Sequence, residues 1–192
     1  MVLPIIAYGD PVLRKVGKDI DENYPDLEQL IENMKDTMKN AKGVGLAAPQ
    51  VGKAIRLFLV NTSPFAEDEE LDKEEQEFLK NFDKVFINAN IINEEGDEWV
   101  FSEGCLSIPN INEDVFRQEK ITIEYFDENF KKHTETVEGL AARVIQHEYD
   151  HIEGKLFIDK LTSLKKRLIK KKLENISKGK VDVDYRMHFP KK

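Results

Sequence analysis

The segment His147-Glu148-Tyr149-Asp150-His151 constrains the fold more than any other part of the chain. Its two histidines come close enough to share a ligand only if the segment is a helix. Two histidines four residues apart lie one above the other on a helix, so both imidazoles can reach one cation. Glu148 lies near the same edge, where a carboxylate can take a proton from a water on that cation. With only 4 histidines in 192 residues, the pattern predicts a metal-binding helix.

The apolar spacing around this segment predicts a helix from about residue 137 to residue 152, with Gly154 as its stop signal. The stripe expected to face the core is Leu140, Val144, His147 and His151. The predicted ligands therefore lie on the buried side of the helix, which favours a chemical role over surface decoration.

Two histidines are not enough for a catalytic zinc-type site, which takes three protein ligands and leaves one position for water. In the related pattern H-E-x-x-H-x-x-G-x-x-H the third ligand is a histidine, but Phe157 occupies that position here. Asp159 and Glu174 are downstream acids outside any ligand motif. Cys105 is the only cysteine, although a lone cysteine is more often a small buried hydrophobe. The residues alone leave these three candidates open.

A third segment, GVGLAAPQ at residues 43–50, combines small residues with a neutral amide. The small residues allow backbone or substrate to approach closely, and Gln50 can donate a hydrogen bond to an oxyanion. By itself the segment is also compatible with a glycine at the end of a helix followed by a turn.

Together the three segments resemble the peptide deformylases, whose motifs are G-x-G-L-A-A-x-Q, E-G-C-L-S and Q-H-E-x-D-H, in this order. Residues 43–50, 103–107 and 146–151 match them without a mismatch, and the resemblance spans roughly residues 4 to 160. It implies a peptide deformylase, a hydrolase that removes the formyl group from formyl-methionyl nascent polypeptides and releases formate.

The resemblance also implies a role for each matching residue. Cys105, His147 and His151 would hold one divalent metal ion per chain. Metal-bound hydroxide would be the nucleophile, with Glu148 as general acid and base. The other implied catalytic groups are the side chain of Gln50 and the backbone N–H of Leu106, both as oxyanion donors, and Gly45.

The predicted substrate site has two parts. An extended peptide could pair with the backbone near Gly45 and Gly104 by strand addition, and a methionine side chain could fill an apolar pocket beside the ring of His147. The predicted substrate-binding residues are Gly43, Val44, Gly45, Gly104, Leu106, Leu140 and Val144. For Leu140 and Val144, plain core packing is an equally good interpretation.

The donor set does not decide the metal. One thiolate with two imidazoles is compatible with zinc, iron(II), nickel or cobalt, and the resemblance implies iron(II) as the physiological ion. A single unpaired cysteine fits a reducing compartment, which predicts a cytoplasmic location. The chain has no apolar run of membrane-spanning length, and no signal peptide is expected, so no membrane partner is predicted. DNA is not predicted as a partner either.

Charge is distributed unevenly along a chain whose net charge is −8. Residues 161–180 hold eight positive side chains and one negative one. They are interpreted either as a solvated basic face or as a contact with ribosomal RNA. An acidic insertion at about residues 64–83 predicts a solvated loop or short surface helix without effect on the chemistry.

The periodicities predict an α+β fold, with antiparallel or mixed sheets packed around one central metal-binding helix and with a C-terminal helix. The chain is expected to form one catalytic domain over residues 1–192, the basic helix and tail occupying about 161–192. A helix start is predicted at Asp10, a helix over residues 27–38, and a C-terminal helix with Leu161, Leu164, Leu168 and Ile176 spaced along it. Strands are predicted at residues 55–61, 85–92, 98–101 and 120–125, with a hairpin turn at 127–129.

Two other functions remain compatible with the residues. A zinc metallopeptidase would take Glu174 or Asp159 as its third ligand and would cut internal peptide bonds. A non-enzymatic ribosome-associated module would have a closed structural metal site. Asp150 is interpreted either as a partner of Arg117 that steadies the helix against a strand or as an ordinary surface carboxylate.

Overall fold

The computed structural model describes residues 1–191, and the predicted α+β class is confirmed. The four α-helices are α1 (Leu27–Asn40), α2 (Lys73–Asn81), α3 (Gly139–Ile152) and α4 (Ser163–Ser177). The strands are β1 (Ile5–Ile6), β2 (Gly45–Ala47), β3 (Leu57–Asn61), β4 (Asp83–Cys105), β5 (Ile108–Phe126), β6 (Lys132–Glu138) and β7 (Met187–His188).

Five strands form one antiparallel sheet in the order β2-β3-β4-β5-β6, and β1 pairs with β7 in a separate parallel ribbon. The sheet is dominated by the long hairpin of β4 and β5. The segments 85–92 and 98–101, predicted as two strands, belong to the single strand β4. Register shifts interrupt its ladder with β5, and such bulges bend a strand. The hairpin closes where Cys105 faces Ile108.

Helix α3 packs against the sheet and is buried over most of its length. It begins two residues later than predicted, at Gly139, because Val137 still pairs with Ile121 in the ladder of β5 and β6. It ends at Ile152, and Gly154 follows with a positive φ of 69°, as expected for a helix stop signal. The prediction of a central buried helix is confirmed.

The acidic insertion between β3 and β4 forms a short 3-10 helix, Ser63–Glu67, followed by α2. Most acidic side chains of this segment are exposed, as predicted for a surface helix. Its apolar residues Leu79 and Phe82 are buried in the same hydrophobic cluster as residues of α3. The insertion is therefore anchored to the sheet that carries the candidate site.

Helix α4 forms where predicted, but only part of the apolar set predicted along it is buried. Leu164 and Leu168 are 60% and 71% exposed, whereas Ile169, Leu173 and Ile176 are buried. Leu161 is buried but lies before the N-cap Thr162. The buried face of the helix therefore contains Ile176 from the predicted set, together with Ile169 and Leu173 instead of Leu164 and Leu168. After α4 the chain returns to pair β7 with β1. Residue 192 of the predicted tail lies outside the described residues.

The smaller predictions hold as well. Asp10 caps a 3-10 helix at Pro11–Arg14 by accepting from the N–H of Val12, and the turn after β5 is built on Asp127. Among residues 1–191, no helix has the length and apolar character needed to cross a membrane.

Candidate active site

Cys105 at the tip of the long hairpin meets His147 and His151 on α3. The Sγ of Cys105 lies 3.3 Å from Nε2 of His151, and the three candidate ligand atoms all lie within 4.8 Å of one another. Tetrahedral coordination by one sulfur and two nitrogens at bond lengths of about 2.3 and 2.05 Å separates sulfur from nitrogen by about 3.5 Å. The three side chains therefore fit one divalent ion.

The orientation of His147 is fixed by a carboxylate behind it. Its Nδ1 lies 2.9 Å from Oε2 of Glu103, so Nδ1 donates and Nε2 is left for a metal, the usual outer-shell arrangement. Burial alone would raise the pKa of Glu103, but hydrogen bonds from His147 and Arg117 hold that pKa well below its ordinary value. Glu103 is therefore an anion that polarises the imidazole.

Two buried arginines hold Glu103 in place. Arg117 donates to both carboxylate oxygens, at 2.6 and 3.0 Å, and Arg143 donates to Oε1 at 3.0 Å. Arg117 also donates to Asp150 at 2.7 Å, the pairing predicted from the sequence. Asp150 is only 8% exposed, so it is not an ordinary surface carboxylate.

Glu148 is enclosed at the same site. It is 4% exposed, and its Oε2 has no hydrogen-bond partner within the part of the chain that the structure describes. Burial raises the pKa of Glu148 to about 7, although the nearby His147 acts in the opposite direction. Its carboxylate packs directly on Gly45, where any Cβ would overlap it. The site requires glycine at position 45.

Gln50 points its amide nitrogen at the candidate metal site. Its Oε1 accepts from the N–H of Ala47 at 2.9 Å, which orients Nε2 towards Sγ of Cys105 at 3.5 Å and Oγ of Ser107 at 3.3 Å. Leu106 lies in the hairpin turn between Cys105 and Ser107. The two residues predicted to supply oxyanion donors, Gln50 and Leu106, thus both lie next to Cys105.

A cavity of about 690 Å³ opens onto this cluster. Six of the seven predicted substrate-binding residues line it: Gly43, Val44, Gly45, Gly104, Leu106 and Val144. Leu140 is not among the described lining residues and packs against the core instead. Phe65, Phe101, Arg143 and Tyr185 also line the cavity. No sequence motif marks these four, which come from distant parts of the chain.

The other candidate ligands lie elsewhere. Asp159 pairs with Arg14 at 2.6 Å, and Glu174 is exposed on α4. Phe157 is buried and stacks on the ring of His147, with centroids 6.0 Å apart. Within residues 1–191, the one group of at least three side chains that could hold a metal is that of Cys105 with the two histidines.

A half-buried cysteine and two imidazoles, with a buried carboxylate beside them at a cavity, define a hydrolase-type metal site. Residues 2–167 match the family described as Polypeptide deformylase. The peptide deformylase of Christiangramia forsetii is 70% identical over 190 residues, which cover 99% of this chain and 97% of that protein. That of Flavobacterium psychrophilum is 62% identical over 193 residues, covering 100% of both.

Solved structures agree with this assignment. A peptide deformylase from Legionella pneumophila matches with a TM-score of 0.77 at 38% identity, covering 93% of this chain and 96% of that one. Peptide deformylase 1B of Arabidopsis thaliana matches with a TM-score of 0.78 at 34% identity, covering 92% and 91%. The chain belongs to the peptide deformylase family, and the prediction of a peptide deformylase enzyme is confirmed.

Proposed function

We propose that this chain is a metal-dependent hydrolase that removes the formyl group from formyl-methionyl nascent polypeptides and releases formate. The observation that carries the proposal is the convergence of Cys105, His147 and His151 beside Glu148 and Gln50 at one cavity. The catalytic domain would span residues 1–192. Its dependence on a reduced cysteine suits a cytoplasmic location.

The three converging side chains would hold one divalent ion. Iron(II) is the proposed physiological ion, and zinc, nickel and cobalt are compatible with a thiolate and two imidazoles. When bound, such an ion polarises a water molecule and lowers its pKa to about 7. The unpartnered Oε2 of Glu148 and the hydrogen bond from His147 to Glu103 support this assignment.

Glu148 is proposed as the general base and acid. With a pKa near 7 it can both accept and donate a proton close to neutral pH. It takes one proton from the attacking water as the oxygen adds to the formyl carbon. It then returns that proton to the nitrogen as the C–N bond breaks, giving formate and a free amine. Gly45 leaves the space that this carboxylate needs.

The negative charge that develops on the formyl oxygen would be stabilised by Nε2 of Gln50 and the backbone N–H of Leu106. Both groups flank Cys105, and the amide of Gln50 is held in place by Ala47. A donor that is already oriented stabilises the transition state without reorganisation. The amide oxygen of Gln50 is bonded to the backbone and its nitrogen faces the site, as an oriented donor requires.

The peptide would bind beside an edge strand. β2 is the last strand of its sheet, so backbone near Val44 and Gly45 can pair with an extended chain, with Gly104 across the cavity. The methionine side chain would enter the apolar part of the cavity at Leu106 and Val144. Leu140 lies one turn before Val144 on α3 and would support that wall from the core.

A contact with ribosomal RNA is proposed for α4. The exposed basic side chains Arg167, Lys170, Lys171 and Lys172 lie on this helix and could neutralise phosphates. Replacing Lys171 and Lys172 with glutamate should reduce co-sedimentation with ribosomes. The matched control replaces the exposed Lys15 and Lys53, which lie elsewhere on the chain. Equal co-sedimentation of both double variants would refute the contact.

The proposed reaction is tested with protein purified without oxygen and analysed for metal. Formate release from a formyl-Met tripeptide is measured for the wild type, Glu148→Gln and Glu138→Gln, the last replacing an exposed glutamate just before α3. We expect activity in the wild type and in Glu138→Gln, and a metal-loaded but inactive Glu148→Gln. Cleavage of internal peptide bonds without formate release would indicate the metallopeptidase instead.

A further inference from the structure

The segment that follows α4, residues 181–185, lies beyond the part of the chain that matches the family, which ends at residue 167. We call it the tail strap. Its residues 182–185 line the same cavity as Cys105, His147 and Glu148. The strap thus adds a wall to the site from outside the family-matched region.

Both ends of the tail strap are fixed. At its start, the side-chain amide of Asn110 donates to the carbonyl of Asp182 at 3.2 Å. At its end, the N–H of Ile5 donates to the carbonyl of Arg186 at 2.9 Å, where β7 joins β1. These bonds hold the intervening Tyr185 against the hairpin turn. Its hydroxyl donates to the backbone carbonyl of Leu106 at 2.8 Å.

The position of the hairpin turn affects two groups of the proposed site, because the turn follows Cys105 directly and carries the N–H of Leu106. Ser107, the other residue of the turn, accepts two hydrogen bonds: one from Gln50 to its hydroxyl and one from the N–H of Tyr8 to its carbonyl. Among the side chains that the structure describes, Tyr185 is the one whose hydrogen bond restrains Leu106 itself.

We propose that Tyr185 is a positioning residue for deformylation, holding the Leu106 carbonyl so that the Leu106 N–H stays aimed at the formyl oxygen. The inference rests on the proposed function. Its physical basis is that fixing one carbonyl of a two-residue turn restricts rotation of the adjoining peptide plane. A donor displaced from the oxyanion stabilises the transition state less, whereas binding of the peptide and of the metal would be unaffected.

The test compares Tyr185→Phe with the wild type in formate release from a formyl-Met tripeptide. Tyr185→Phe keeps the ring and removes only the hydroxyl. We expect kcat to fall about 3- to 10-fold, the effect of one lost hydrogen bond, with KM and metal content unchanged. The control is Tyr24→Phe, which removes the hydroxyl of a partly buried tyrosine that does not line the cavity and should leave kcat unchanged.

The outcomes separate this inference from the function on which it rests. A wild type that releases no formate refutes the proposed function. If the wild type is active, a kcat for Tyr185→Phe equal to that of Tyr24→Phe overturns the positioning role alone. Loss of metal, or a change confined to KM, overturns it as well, because Tyr185 would then support the fold or the peptide rather than the oxyanion donor.

Discussion

Replacing Glu148 with glutamine should stabilise the metal-free protein, and increasingly so as the pH rises. Glu148 is buried, and its pKa is raised from 4.5 to about 7 in the folded chain. A carboxyl whose folded-state pKa is raised contributes no penalty below pH 4.5. It then opposes folding progressively as the pH rises towards 7, because the unfolded chain ionises it first. Glutamine has nearly the same shape and cannot ionise.

The size of the effect follows from the two pKa values. The difference between a pKa of 4.5 and one of about 7 corresponds to about 3 kcal/mol once the pH exceeds 7. At pH 5.5 Glu148 is ionised in the unfolded chain but not in the folded one, and the penalty is only about 1 kcal/mol. The stability gained by Glu148→Gln should therefore grow by about 2 kcal/mol between pH 5.5 and pH 8.5.

The measurement is urea unfolding of metal-free wild type and variant at both pH values, with the free energy of unfolding extrapolated to water. Taking the difference between variants removes the contributions of groups that titrate independently of Glu148. The control is Glu138→Gln, whose carboxylate is exposed, and its stability difference from the wild type should not change with pH. Saturating zinc should reduce the difference in the free energy of unfolding between Glu148→Gln and the wild type, because a nearby cation favours the ionised carboxylate.

A gain in stability that is the same at both pH values would refute the reasoning. It would mean that Glu148 is ionised in the folded protein throughout this range, so that burial does not control its protonation. The proposal that Glu148 exchanges a proton near neutral pH would then lose its physical basis, even if the residue proved essential for activity.

Three further substitutions test other parts of the site. Gln50→Ala removes an oxyanion donor and should lower kcat about 10²- to 10³-fold, with metal content unchanged; a loss of metal would contradict that role. Gly45→Ala places a methyl group against the carboxylate of Glu148 and should abolish formate release while the protein still binds metal. Phe65→Ala opens the cavity wall formed with Phe101, so it should raise KM for formyl-Met peptides more than for peptides with a larger first side chain. Equal changes in both would refute a role for Phe65 in side-chain selection.

The sequence predicts those parts of the site whose chemistry is local. His147, Glu148 and His151 follow from helical spacing alone, and Gln50 is bonded to Ala47 only three residues away. Cys105 required the resemblance to a family, because no spacing links a lone cysteine to His147, 42 residues further along. The burial of Ile169 rather than Leu168 on α4 could not be read from the stripe, since both faces of that helix carry leucine or isoleucine.

The residues that sequence reasoning missed are held by contacts between distant segments. Arg143 reaches Glu103 across 40 residues, and Tyr185 reaches Leu106 across 79. Such contacts depend on how the hairpin, α3 and the tail strap pack, which no local periodicity encodes. Phe65 belongs to the same group. It lies in an insertion expected to have no effect on the chemistry, yet its ring forms part of the cavity wall.

The spacing of Glu103 and Cys105 at the end of β4 matches the spacing of His147 and His151 on α3. Glu103 meets His147, and Cys105 meets His151. The ladder with β5 shifts register between Glu103 and Cys105, yet both side chains contact α3. Residues two apart on an extended chain are separated by about 6.6 Å, close to the rise of about 6 Å between residues four apart on a helix. The strand and the helix therefore contact each other through two pairs of residues. Glu103 orients His147, and Cys105 with His151 completes the candidate metal site.

One inserted residue should break the contact between Cys105 and His151 without breaking that between Glu103 and His147. A glycine added between Gly104 and Cys105 would turn the thiol to the opposite face of the strand, because the side-chain period is two, while Glu103 would keep its contact with His147. We expect the variant to fold with its buried Glu103 network intact and to lose most of its metal, as measured by metal analysis after dialysis. An inserted variant that retains full metal content would show that the hairpin tip, rather than the strand register, directs the cysteine.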